Sequence, residues 1–80
     1  MMAAVLLEEM RRNPAGDWRI SDIETLCRNY GVNFRFGKGS HATVQHPAPR
    51  EILTIPARRP IKPVYIRKLV RYIDMYGAGR

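Results

Sequence analysis

The stretch GKGSHATVQHP, residues 37–47, holds both histidines of the chain, His41 and His46, together with Lys38 and Ser40. Imidazole takes up and releases a proton near neutral pH, so a solvent-facing histidine beside cations can act as a base on a phosphate-bearing ligand. Cations lie on both sides in sequence: Arg35 upstream, then Arg58, Arg59, Lys62 and Arg67 downstream. Guanidinium and ammonium groups hold phosphate oxygens and offset charge that builds on phosphorus. Other chemistries are not supported. Ser40 and His41 are chain neighbours that point to opposite faces of a strand, and no acid is placed to orient the imidazole as a serine-hydrolase triad needs. Gly37-Lys38-Gly39-Ser40 lacks the spacing of a nucleotide-cradling loop, and a strand pattern follows it instead of a helix. Two scattered histidines and one cysteine, Cys27, give no tetrahedral ligand spacing, so no metal and no cofactor is expected.

The balance of charge names the kind of ligand. Fourteen Lys and Arg against seven Asp and Glu give a formal charge of +7, and the pI is near 10.3. Such a field attracts polyanions, with nucleic acid the commonest. From Arg50 to the end the cations face only Glu51 and Asp74 as acids. A solvated basic face, or an acidic protein as partner, fits the same numbers. Eighty residues predict one domain with a small core and no room for a deep cofactor pocket. No apolar run approaches the roughly 18 residues of a membrane span, so no membrane association is expected. The opening MMAAVLLEEMRR has no basic lead-in and carries Glu8 and Glu9, unlike a secretory signal. A cytoplasmic protein with Cys27 as a buried, inert thiol is the expectation.

The elements that must position His41 follow from periodicity. Ala3, Leu6, Leu7 and Met10 predict a short amphipathic helix over about 3–12, ended near Asn13-Pro14. Ser21 and Glu24 have capping-box spacing, and Ile23, Leu26, Cys27 and Tyr30 carry a second helix over about 22–30, closed by Gly31. Val32, Phe34 and Phe36 then alternate with polar residues, as do Ala42 and Val44 within 40–45, which predicts a hairpin. A three-residue Gly37-Lys38-Gly39 loop keeps its buried face apolar, pairing Arg35 with His41, Asn33 with Thr43 and Phe34 with Ala42. EILTI, residues 51–55, reads as a third strand with Leu53 and Ile55 inward. Pro63 opens a last helix with the stripe Ile66, Leu69, Val70 and Ile73, and Arg67, Lys68 and Arg71 on the far arc. Tyr65, Tyr72 and Tyr76 border that stripe, where they either pack against the N-terminal helix or meet a partner.

The order is therefore α-α-β-β-β-α, an α+β domain with helices on one face of a three-stranded antiparallel sheet. The other face carries Asn33, Arg35, His41, Thr43 and Thr54. There His41 is either a base or an ordinary solvated strand residue. Lys38, at the loop tip, reaches an incoming phosphate or is a solvated turn residue. His46, five residues on and before Pro47, points to the opposite face and reads as structural or as a rim contact.

GVNFRFGKGSHATVQHP, followed by LTIPARRPIKPVYIRKLV, resembles the HicA family of small messenger-RNA interferase toxins over about Leu6 to Ile73, in the form with an extra N-terminal helix. The most specific parts are Gly39-Ser40-His41, His46-Pro47, Ile55-Pro56-Ala57 and Ile61-Lys62-Pro63. The resemblance implies a double-stranded-RNA-binding-domain-like fold, metal-independent RNA cleavage and a HicB-type antitoxin as protein partner. It makes His41, after the Gly-Ser pair, the catalytic residue. Many relatives carry a histidine after Pro-Ala, where this chain has Arg58.

On that basis His41 takes the proton of a ribose 2′-OH, and the oxygen attacks the adjacent phosphorus of messenger RNA. Arg35 or Lys38 is expected to offset the phosphorane charge. Arg35, Lys38, Ser40 and Thr43 are expected to contact the RNA, and Arg58, Arg59, Lys62 and Arg67 to hold its backbone. A non-catalytic RNA-binding module, or a degenerate toxin that only binds a protein partner, would use the same basic surface without needing His41.

Overall fold

The computed structural model describes residues 2–37, 41–45 and 52–77, with side chains from Ala4 onward. Three helices and three strands follow in the order α1 (Met2–Arg12), α2 (Ile20–Asn29), β1 (Asn33–Phe36), β2 (His41–Gln45), β3 (Ile52–Pro56) and α3 (Pro63–Tyr76). This is the expected α+β class and element order. No described helix is long and apolar enough to cross a membrane.

Local sequence explains where the helices start and stop. In α1 the inward stripe is Leu7 and Met10, and the chain leaves the helix just before Pro14, whose ring disfavours helical geometry at Asn13. α2 begins two residues before the expected start. Its cap is not the Ser21/Glu24 pair: the Asp22 carboxylate accepts the Arg19 backbone N–H at 3.0 Å. Ser21 lies inside the helix, with its carbonyl accepting from Thr25 Oγ1, and Glu24 pairs with Arg28. At the other end Gly31 takes φ 71°, and Val32 N donates to Cys27 O at 3.0 Å. That six-to-one closure needs a left-handed residue, which glycine adopts without strain.

The sheet order is β1-β2-β3, both pairs antiparallel. Its register differs from the expected one. Arg35 pairs with Thr43, Asn33 with Gln45 and Phe34 with Val44, so each β1 residue meets β2 two positions further along. Gly37 extends the ladder, its N–H donating to His41 O at 2.8 Å, so the connection is not Gly37-Lys38-Gly39; Lys38, Gly39 and Ser40 lie outside the described residues. A slip of two preserves faces, because side chains alternate with period two. Arg35, His41 and Thr43 therefore still share the open face.

On the covered face Ala42, Val44 and Ile55 are buried with Leu26 and Cys27 of α2, Ile61, and Ile66, Leu69, Val70, Tyr72 and Ile73 of α3. No buried polar side chain occurs among the described residues. Leu53 and Phe34 are half-buried against this cluster, while Phe36, at the end of edge strand β1, is 56% exposed. Each fully buried aliphatic side chain contributes about 1.5–3 kcal/mol relative to exposure, so a core of this size holds the fold without disulfides. α1 is docked by packing and by a bidentate pair from Arg11 to Asp74 of α3, at 2.7 and 3.0 Å.

Candidate functional site

His41 is the first residue of the central strand, exposed on the open face and paired across to Pro56 of β3. Beyond Pro56 the chain crosses to α3 through residues 57–62, and three contacts fix its path. Ile61 is buried, and its N–H donates to Trp18 O at 2.9 Å. Trp18 is itself held by its indole N–H on Asn13 O at 2.8 Å. Arg59 grips Asp17 with two bonds, of 2.9 and 3.3 Å. The loop before α2 thus anchors the segment that carries Arg58 and Lys62.

Lys62 is the N-cap of α3, and Pro63 occupies its first turn, a position where the missing N–H costs nothing. Lys62 O accepts from Tyr65 N at 2.9 Å and from Ile66 N at 3.2 Å. This first turn brings Tyr65 beside Lys62. Together His41, Pro56, Arg58, Lys62 and Tyr65 line a cleft of about 280 Å³. Its described lining offers one imidazole, two cations and a phenol, and includes no carboxylate.

A neighbouring depression of about 420 Å³ on the open face includes Asn33, Arg35, Thr43, Gln45 and Ile52. Arg35 is directly across from Thr43, whose Oγ1 donates to Arg35 O at 3.4 Å. His41 is the next residue of β2 on that face, within reach of a long side chain at the diagonal position. Of the residues expected to act together, the fold gathers His41, Arg58 and Lys62 in one cleft and sets Arg35 and Thr43 beside it. Arg59 is instead engaged by Asp17, and Arg67 lines a separate groove between α1 and α3 with Met10, Pro14 and Asp74. Ser40, Lys38 and His46 lie outside the described residues.

The sequence did not place Tyr65 or Pro56 beside His41. The signal for Tyr65 was its i, i+3 spacing from Lys62 at a proline-opened helix start. Of the border tyrosines, Tyr65 lines the His41 cleft, and Tyr72 and Tyr76 line a groove beside β3. Their rings meet edge-on, with centroids 4.8 Å apart.

Charge is distributed unevenly around this site. Glu8, Glu9, Glu24 and Asp74 pair with Arg11, Arg12, Arg28 and Arg11 respectively, all on the helical side. The hydrogen bond from Arg11 holds the Asp74 carboxyl below the usual range, and that from Arg59 does the same for Asp17. By contrast, no described carboxylate lies within ion-pair reach of Arg35, Arg58, Lys62, Lys68 or Arg71. Cys27 takes no part: burial pushes its thiol up to about 12. Among the described residues no three His, Cys, Asp or Glu side chains gather as a metal ion would require.

Comparison with known proteins adds nothing to this geometry: no family model, curated protein or solved structure matches the chain.

Proposed function

We propose that this chain is a toxin of the HicA kind, an endoribonuclease that cleaves messenger RNA in the cytoplasm with His41 as general base and without a metal ion. The observation that carries the proposal is the His41 cleft, where an exposed imidazole stands with two cations that no described carboxylate neutralises. The resemblance of residues around Gly39-Ser40-His41 and Ile61-Lys62-Pro63 to that family points the same way.

The chemistry uses the RNA's own nucleophile. His41 removes the proton from a ribose 2′-OH, and that oxygen bonds to the adjacent phosphorus as the bond from phosphorus to the 5′-oxygen breaks. Arg58 and Lys62 offset the extra negative charge on the phosphoryl oxygens. The departing 5′-oxygen takes a proton from a donor at the cleft, where the Tyr65 hydroxyl and the Lys62 ammonium are both able to give one. The products are a 2′,3′-cyclic phosphate and a 5′-OH. In its own cell such an enzyme is held by a HicB-type antitoxin, an acidic partner that covers the cleft and its basic rim.

The test is product analysis by mass spectrometry. The purified chain, in excess EDTA, is expected to cut a synthetic oligoribonucleotide and leave cyclic phosphate ends, while a 2′-deoxy substitution at the cut position blocks that cut. Linear 3′-phosphate or 5′-phosphate ends from the start, or cutting of the 2′-deoxy position, contradict the mechanism.

A further inference from the structure

The basic surface continues past the His41 cleft. A groove of about 580 Å³ runs between the outer edge of β3 and α3, lined among others by Ile52, Thr54, Lys68, Arg71, Met75 and Tyr76. No described carboxylate lines it. Lys68 and Arg71 are exposed there, and no described carboxylate pairs with either. The Lys68 ammonium lies 5.9 Å from the centre of the Tyr65 ring, and Tyr65 lines the His41 cleft. The two depressions therefore meet at Tyr65 and Lys68. Lys62, Tyr65 and Lys68 recur every three residues on one side of α3, and from Lys68 the groove follows the helix for about 12 Å to Tyr76. β3 is an edge strand, so its outer backbone N–H groups add further donors for an anion.

We infer that this groove is a subsite for the single-stranded RNA flanking the scissile phosphate, with Lys68 and Arg71 holding backbone phosphates as the strand leaves the His41 cleft along β3. This rests on the ribonuclease reading of the cleft. The open edge and the exposed Ile52 and Met75 would also suit a protein strand. A row of cations continuous with the cleft, and no acid among the described lining residues, favours the polyanion. Tyr72, though in the lining, is buried, so the groove's exposed cations, Lys68 and Arg71, are its contacts to the backbone.

The probe is a fluorescent oligoribonucleotide with 2′-O-methyl groups throughout, which cannot be cut, in a long form of about 12 nucleotides and a short form of about 3. Anisotropy titrations across salt compare Lys68→Ala/Arg71→Ala with Arg12→Ala/Arg28→Ala, which removes equal charge from the helical side. At about 0.1 M salt the first pair is expected to weaken the long oligomer about tenfold and to flatten its salt slope by about 1.4, close to 0.7 per lost contact on a single strand. The short oligomer should be unaffected, and the second pair should change neither by more than about twofold. Equal losses in both double variants, or undiminished affinity in the first, overturn the subsite while leaving the cleft intact. No binding of either oligomer by the wild-type chain overturns the RNA reading itself. If amides of Ile52–Thr54 become protected from exchange by an acidic peptide while RNA affinity is undiminished, the groove docks a protein strand and the assignment is wrong.

Discussion

The two sides of this small domain treat charge in opposite ways. On the surface made by α1, α2 and the loop between them, Arg11, Arg12, Arg28 and Arg59 each meet a carboxylate. On the surface that runs from the open sheet face across Arg58 and Lys62 and along α3, the cations meet no described carboxylate. Exposed pairs of the first kind are each worth about 0–1 kcal/mol, so the helical side gains modest docking and a nearly neutral field. The second side gains no ion pair with a described carboxylate and presents a concentrated positive field, of the kind that steers polyanions. One segment joins the two. Arg59 turns back to Asp17 while Arg58 and Lys62, on either side of it, line the His41 cleft. Within one short connection Arg59 and Ile61 thus anchor the chain while Arg58 and Lys62 line the cleft.

The largest effects expected from breaking this contrast are on catalysis. Arg58→Ala/Lys62→Ala should lower kcat/KM on RNA at least about 100-fold, the scale of losing preorganised charge stabilisation. Arg12→Ala/Arg28→Ala should leave it within about twofold. Steady-state cleavage of one labelled substrate by the two variants measures both, and comparable losses would erase the distinction between the sides.

Stability should follow the core and not the basic surface. Leu26→Ala is expected to cost about 2–5 kcal/mol in urea denaturation, because it empties a fully buried position beneath the sheet. Arg58→Ala and Lys62→Ala should each stay within about 0.5 kcal/mol. Cys27 supplies an internal probe: with its thiol pushed up to about 12 by burial, it should be inert to a disulfide reagent at neutral pH until the chain unfolds. Rapid labelling of the native protein would show that α2 is not packed as described.

Most of the fold was legible because each element shows one clear period. Leu26 and Cys27 fall on a helical stripe, and Phe34, Ala42 and Val44 alternate as strand residues do. Parity decided that His41 and Arg35 share the open face, and a slip of two left that intact. The register itself was not legible, because Gly37 suits a turn as readily as the end of a ladder. The α2 cap was misplaced because Ser21 and Glu24 have the right spacing, whereas Asp22 makes the bond. Within the candidate site, His41, Arg58 and Lys62 could be named from sequence, but their meeting with Tyr65 could not. The path of residues 57–62 depends on Arg59 reaching Asp17, 42 residues away, and on Ile61 bonding to Trp18 O. Contacts at that separation leave no local periodicity.

The smallest expected effect is acid sensitivity on the helical side. Arg11 holds the Asp74 carboxyl below its usual range, so the pair stabilises the fold above the unfolded carboxyl value near 3.9 and loses that contribution as pH falls through the lower folded value. The exposed pair is worth at most about 1 kcal/mol. Asp74→Asn should therefore lower the melting temperature slightly at pH 7, with the difference from wild type closing as the pH is lowered below about 4. A difference that widens in acid would reverse the sign of the linkage.

The central claim is that His41 removes the 2′-OH proton, and the most direct measurement is single-turnover cleavage of one RNA by wild type and His41→Ala at matched concentrations of folded protein. His41 is exposed, so its replacement should leave the melting temperature and the affinity for an uncleavable oligomer unchanged. Losing a general base should slow cleavage about 10²–10⁴-fold. Cleavage by His41→Ala at the wild-type rate, with the same product ends, would contradict the account.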